Sequence, residues 1–103
     1  MTDKRVLPAD CGTMEQVRDG VDGLDREIVA LLAERFRYME AAARIKPGRE
    51  AVRDEWRKAD VIAKVRAAAE GENAPVERVA ALYDALVESS IAFEFDRYDA
   101  TRG

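Results

Sequence analysis

An all-α fold is predicted for this 103-residue chain by its composition, by the spacing of its apolar residues and by the absence of strand patterning. Hydrophobic residues make up 48% and charged residues 37%, with only three prolines and abundant Ala, Glu, Arg and Leu, all good helix formers. Apolar positions recur at three- and four-residue intervals, whereas no run of alternating β-branched residues suggests a strand. The length is that of a single domain with room for one core.

Residues 1–12 read as an irregular N-terminal arm, broken by Pro8 and Gly12, and residues 13–103 as the helical domain. Thr13 and Gln16 have the spacing of a capping box and open the first helix. That helix is expected to run to about Lys46, where Pro47-Gly48 stops it: proline cannot continue the ladder, and glycine suits a left-handed turn. Gly20 and Gly23 weaken its early turns, through close approach of another backbone or plain tolerance. A loop over residues 48–53 leads to a second helix from about Asp54 to Glu70, with Val61, Ile62, Val65, Ala68 and Ala69 as its dry stripe and Gly71 as its end. Asn73 to Pro75 start the third helix, whose seam reads Val76, Val79, Tyr83, Leu86, Ser90, Phe93 and Arg97.

Several functions are disfavoured at once. A net charge of −4 with interspersed signs is not the basic surface that binds nucleic acid. No apolar run approaches the roughly 20 residues that span a bilayer, and Met1 to Asp10 lack the hydrophobic core of a secretion signal, so a cytoplasmic protein is expected. One cysteine and no histidine leave no intramolecular disulfide, no His/Cys zinc cluster and no histidine catalysis. Cys11 reads as a packed or idle thiol rather than a nucleophile, because it has no histidine partner. No cofactor and no metal are expected.

The informative residues are polar breaks in the dry faces. On the first helix Val17, Val21, Leu24, Ile28 and Leu31 keep a 3-4 spacing, and the next position is Arg35; the seam then resumes at Tyr38, Ala42 and Ile45. A guanidinium buried there without an anionic partner would cost several kcal/mol, on the order of a lost buried ion pair. Lys46 lies about three turns further along the same side. The second helix opens on Asp54, Arg57 and Lys58 where its stripe should be apolar, and the third carries Ser90 with Glu94 one turn beyond. Structural ion pairs, Arg35 to Glu94 for example, explain any one break. They explain the set poorly, since apolar residues of similar size would stabilise a bundle as well. The two cations, Arg35 and Lys46, line a pocket for an anionic ligand.

Arg18 borders the same face but precedes Arg35 by seventeen residues, roughly 25 Å along a straight helix. It cannot share a site with Arg35 of its own chain; it can with Arg35 of another. A first helix of this length is also more than two shorter helices can cover. An intertwined homodimer follows, with the N-terminal half of that helix packed on the partner.

With these residues on view, the chain resembles the all-helical type II chorismate mutases and their relative, isochorismate-pyruvate lyase. The resemblance covers nearly the whole chain. It rests on Val17-Arg18 through Leu24-Asp25, Leu31-Leu32-Ala33-Glu34-Arg35, Lys46, Val52-Arg53-Asp54, Arg57, and Ser90 with Glu94. Asp10-Cys11 ahead of Arg18, and the closing Thr101-Arg102-Gly103, look more like the lyase branch.

What the resemblance implies is a three-helix dimer with two intertwined sites, each binding a dicarboxylate, chorismate or isochorismate. Arg18 of the partner and Arg35 would hold its carboxylates, and Lys46 the ether oxygen. Asp54 and Arg57 would fix the ring end, Ser90 would bind near a carboxylate or the ring, and Glu94 would face the ether oxygen opposite Lys46. Two positions depart from the mutase pattern. Glu94 stands where glutamine is common, and a carboxyl group donates a hydrogen bond only when protonated, so activity is expected to fall as pH rises. Lys58 stands where a glutamate binds the ring hydroxyl, and the preceding loop is one residue shorter. Chorismate mutase is the leading expectation and isochorismate-pyruvate lyase the alternative. A non-catalytic helical dimer that binds a metabolite or partner is the reading from another class.

Overall fold

A computed structural model describes residues 5–102; residues 1–4 of the expected arm, with the start of the Met1–Asp10 stretch, and Gly103 of the closing run lie outside the described residues. A short 3-10 turn at Pro8–Asp10 is followed by α1 (Met14–Ile45), a second 3-10 turn (Arg49–Ala51), α2 (Glu55–Gly71) and α3 (Val76–Arg102), and no strand occurs among the described residues. The chain divides into two compact units, residues 1–37 and 38–103, and α1 contributes to both.

In the first unit the capping box forms as its spacing predicts. The Gln16 amide N–H donates to Oγ1 of Thr13 at 3.2 Å, and Oε1 of Gln16 accepts from the amides of Gly12 and Thr13 at 2.7 and 3.2 Å. The arm folds back on the start of α1. Arg5 pairs with Glu27 at 2.6 Å, its side chain passes beside Gly20, and half-buried Cys11 has its Sγ 3.9 Å from the carbonyl oxygen of Val6. The apolar seam beyond is not dry. Val17, Val21, Leu24, Ile28 and Leu31 are 38, 49, 44, 49 and 65% exposed, which is a row of large side chains rather than scattered ones.

The second unit holds the core. Val52, Val87 and Ile91 are buried together, with Val61, Ile62, Tyr83, Phe95 and Tyr98 packed against them. Here α2 lies on α3, and Val52 anchors the connection between α1 and α2, a burial that stabilises by about 1.5–3 kcal/mol. Asp54 caps α2 by accepting from the Arg57 amide at 3.0 Å.

Three local expectations change. The buried face of α3 is Ala80, Val87, Ser90, Ile91 and Glu94, one residue round from the Val79–Leu86 phase read in the sequence. Both phases are apolar, and contact with α2 and Val52 selects the second. Gly48 is extended (φ −151°) rather than left-handed, because it leads directly into the turn at Arg49–Ala51. Asn73, read with Pro75 as the start of the third helix, is left-handed (φ 57°) in the turn before α3, which begins at Val76, while α2 ends at Gly71 as expected.

Candidate functional site

Two of the seam-breaking residues meet in the second unit. Ser90 and Glu94 are one turn apart on α3, and each is only 3% exposed. The Ser90 hydroxyl donates to the Leu86 carbonyl of its own helix at 2.7 Å. The Lys46 Nζ lies 2.5 Å from Oε2 of Glu94 and donates to the carbonyl oxygen of Val52 at 3.4 Å. The contact with Glu94 is an ion pair whose angles fall short of a hydrogen bond, so Oε2 is buried with no hydrogen-bond donor among the described residues. The adjacent ammonium offsets the burial of that oxygen by charge rather than by an aligned hydrogen bond.

The elements that present this pair follow from local sequence. Pro47 ends α1, and the Lys46 amide makes a last helical bond to Ala42 O at 2.9 Å. The turn at Arg49–Ala51 then carries the chain to buried Val52, whose carbonyl faces the Lys46 ammonium. Arg49 ties that turn to α3 through Asp99 at 2.9 Å and lies over the Phe95 ring, and Arg97 pairs with Glu40 at 3.6 Å.

The charged start of α2 is used differently. Asp54 is the helix cap, and Arg57 reaches Asp60 at 2.7 Å with most of its side chain exposed. Lys58 continues the stripe of Ile62 and Ala69 toward α3, where it meets Glu88 at 2.7 Å and Asp84 at 3.1 Å. Arg53 joins Glu88 at 2.7 Å. Hydrogen bonds from Arg53 and Lys58 hold the Glu88 carboxyl down to about 2, and the same bonds raise the Lys58 and Arg53 pKa values. Glu88 lies roughly 120° around α3 from Glu94 and roughly 160° from Ser90, at 3.6 residues per turn. The structure thus brings Lys46, Glu94 and Ser90 together and ties Lys58 to another side of α3. Glu88 and Asp84 were not singled out from the sequence. The signal for them was an acidic i, i+4 pair on α3 opposite two cations.

Arg18 and Arg35 belong to the first unit. Arg18 is exposed on α1, and Arg35 is half-buried. Trp56, at the first turn of α2, is 74% exposed. No helix among the described residues is long and apolar enough to cross a membrane, and no cluster of metal-ligating side chains occurs among them.

A family model described as chorismate mutase type II matches residues 17–95, which include every one of the candidate site residues. The chain is also similar to an isochorismate pyruvate lyase of Pseudomonas aeruginosa, 28% identical over 96 residues that cover 93% of this chain and 95% of that protein.

Proposed function

The chain belongs to the type II chorismate mutase family, and we propose that it is a chorismate mutase acting as a homodimer with sites shared between chains. The observation that carries this reading is the pairing of half-buried Lys46 with buried Glu94. It offers an ammonium and an unsatisfied carboxyl oxygen side by side, next to buried Ser90, on a chain with no histidine.

The rearrangement of chorismate to prephenate breaks the ether C–O bond and forms a C–C bond in one step, so it needs no nucleophile. Arg35 and the partner's Arg18 bind the two carboxylates and fold the enolpyruvyl arm over the ring, which is catalysis by restricted conformation. Negative charge grows on the ether oxygen as the C–O bond lengthens. The Lys46 ammonium, held beforehand beside Glu94 and the Val52 carbonyl, stabilises it. Ser90, Asp54 and Arg57 complete the ring and carboxylate contacts, whereas Lys58, paired with Glu88 and Asp84, is left out of them. The exposed row from Val17 to Leu31 supports the dimer, since a second copy covering it would bury those side chains.

Isochorismate-pyruvate lyase is the second reading. The similarity to the Pseudomonas aeruginosa lyase along nearly the whole chain favours it, and so does Lys58, whose ammonium is committed to Glu88 and Asp84. In that reaction the same C–O bond breaks while a ring hydrogen moves to the enolpyruvyl group, releasing pyruvate and salicylate. Incubating the protein with chorismate and, separately, with isochorismate decides between them. Prephenate from chorismate supports the mutase, and salicylate with pyruvate from isochorismate supports the lyase. Absence of turnover of either would overturn both in favour of a binding module.

A further inference from the structure

We infer that Arg102, in the last turn of α3, is a positioning residue for the Lys46 ammonium, an assignment that rests on the proposed role of Lys46. The guanidinium forks over the end of α1. Its Nη1 donates to the carbonyl of Ala43 at 2.9 Å, and its Nη2 donates to the carbonyl of Lys46 itself at 2.8 Å, with Arg44 O at 3.5 Å. A helix end leaves its last carbonyls without intrahelical partners, and a planar cation with several N–H donors is suited to hold more than one of them. The fork is itself fixed. It lies 3.9 Å from the ring centroid of Tyr98, which packs against the Val52–Val87–Ile91 core, and Nη1 touches Oγ1 of Thr101 at 3.2 Å.

Lys46 is therefore held from α3 at both ends. Glu94 pairs with the ammonium, and Arg102, two turns further along the same helix, holds the backbone carbonyl. The Lys46 amide is already committed to Ala42 O. With N–H, C=O and Nζ all engaged, the reach of the side chain is set before a ligand arrives, and preorganisation of this kind is what a charge-stabilising group needs. A capping role alone, one that merely adds stability to α1, would leave the rate per folded molecule unchanged. That difference makes the assignment testable.

The test compares full-length wild type, Arg102→Ala and Arg102→Lys by steady-state kinetics on chorismate and isochorismate, thermal unfolding, and hydrogen exchange over residues 42–53. Positioning predicts that Arg102→Ala lowers kcat by about tenfold or more with KM little changed, since small displacements of a catalytic group are costly. It also predicts faster exchange confined to residues 46–52, and partial recovery in Arg102→Lys, whose ammonium can reach one carbonyl. Wild-type kcat in Arg102→Ala overturns the inference. So does a loss confined to KM, or one that only tracks the folded fraction with Arg102→Lys no better. If wild type turns over neither substrate, the functional reading fails, and local exchange alone decides whether Arg102 fixes the Lys46 turn: unchanged protection of residues 46–52 overturns it.

Discussion

The first and second units break the inside-outside rule in opposite senses. On α1 between Val17 and Leu31, large aliphatic side chains in regular helical register stand in solvent. On α3, Ser90 and Glu94 are as buried as Val87 and Ile91 beside them. Exposed apolar rows and buried polar groups both cost free energy in an isolated chain, and each is relieved by a different kind of occupant. A row of Val, Leu and Ile is satisfied by another apolar surface. A buried carboxyl oxygen lacking a donor is satisfied by a polar ligand or a proton. The exposed row is thus read as a surface for a partner and the buried polar pair on α3 as a place for a substrate.

The most severe way to break the second half of that contrast is Lys46→Ala. Removing the cation should lower kcat by at least about a hundredfold, the scale found when one preorganised charge-stabilising group is lost. It should also destabilise the fold, because Glu94 then keeps a buried charge with no cation beside it, an effect on the order of 3–5 kcal/mol. Kinetics and denaturant unfolding on one preparation read both. The first half is broken by Leu24→Glu with Ile28→Glu. Charges in the exposed row should give a monomer by sedimentation with strongly reduced turnover, whereas an unchanged dimer would remove the seam from the interface.

A smaller change sharpens the role of Glu94. Glu94→Gln keeps the shape beside Lys46 and removes the paired charge, so steady-state kinetics should show a smaller loss of kcat than in Lys46→Ala. A loss as large as that of Lys46→Ala would contradict this. The smallest effect is expected at Glu88, outside the Lys46 pair. Its carboxyl is depressed from 4.5 to about 2 by Arg53 and Lys58. The stability it contributes is therefore fully present above pH 4.5 and is lost as the pH falls through about 2. In Glu88→Gln the acid side of a melting-temperature profile should be shallower over that window, with turnover near neutrality little altered.

Much of this is legible in the sequence alone, for reasons that differ by residue. The Thr13–Gln16 box and the Pro47 stop are local, involving residues within one turn, and both form as spacing predicts. Ser90 and Glu94 stood out because charge or hydroxyl interrupts an apolar row, which a single sequence displays. The phase of α3 did not, because Leu86 and Val87 are equally apolar and only packing chooses between them. The partners of Lys58 and the carbonyls under Arg102 are separated from them by tens of residues, and no periodicity links such positions. The row on α1 was legible as a row, while its exposure required the folded chain.

Whether each site draws on two chains is tested most directly by mixing two crippled chains. Arg18→Ala and Arg35→Ala should each be nearly inactive as homodimers. If every site takes Arg18 from one chain and Arg35 from the other, heterodimers formed by co-refolding contain one intact site and one doubly damaged site. Statistical mixing in a twofold dimer then restores about a quarter of wild-type activity. A mixture shown by mass spectrometry to contain heterodimers, yet no more active than either parent, would contradict the account.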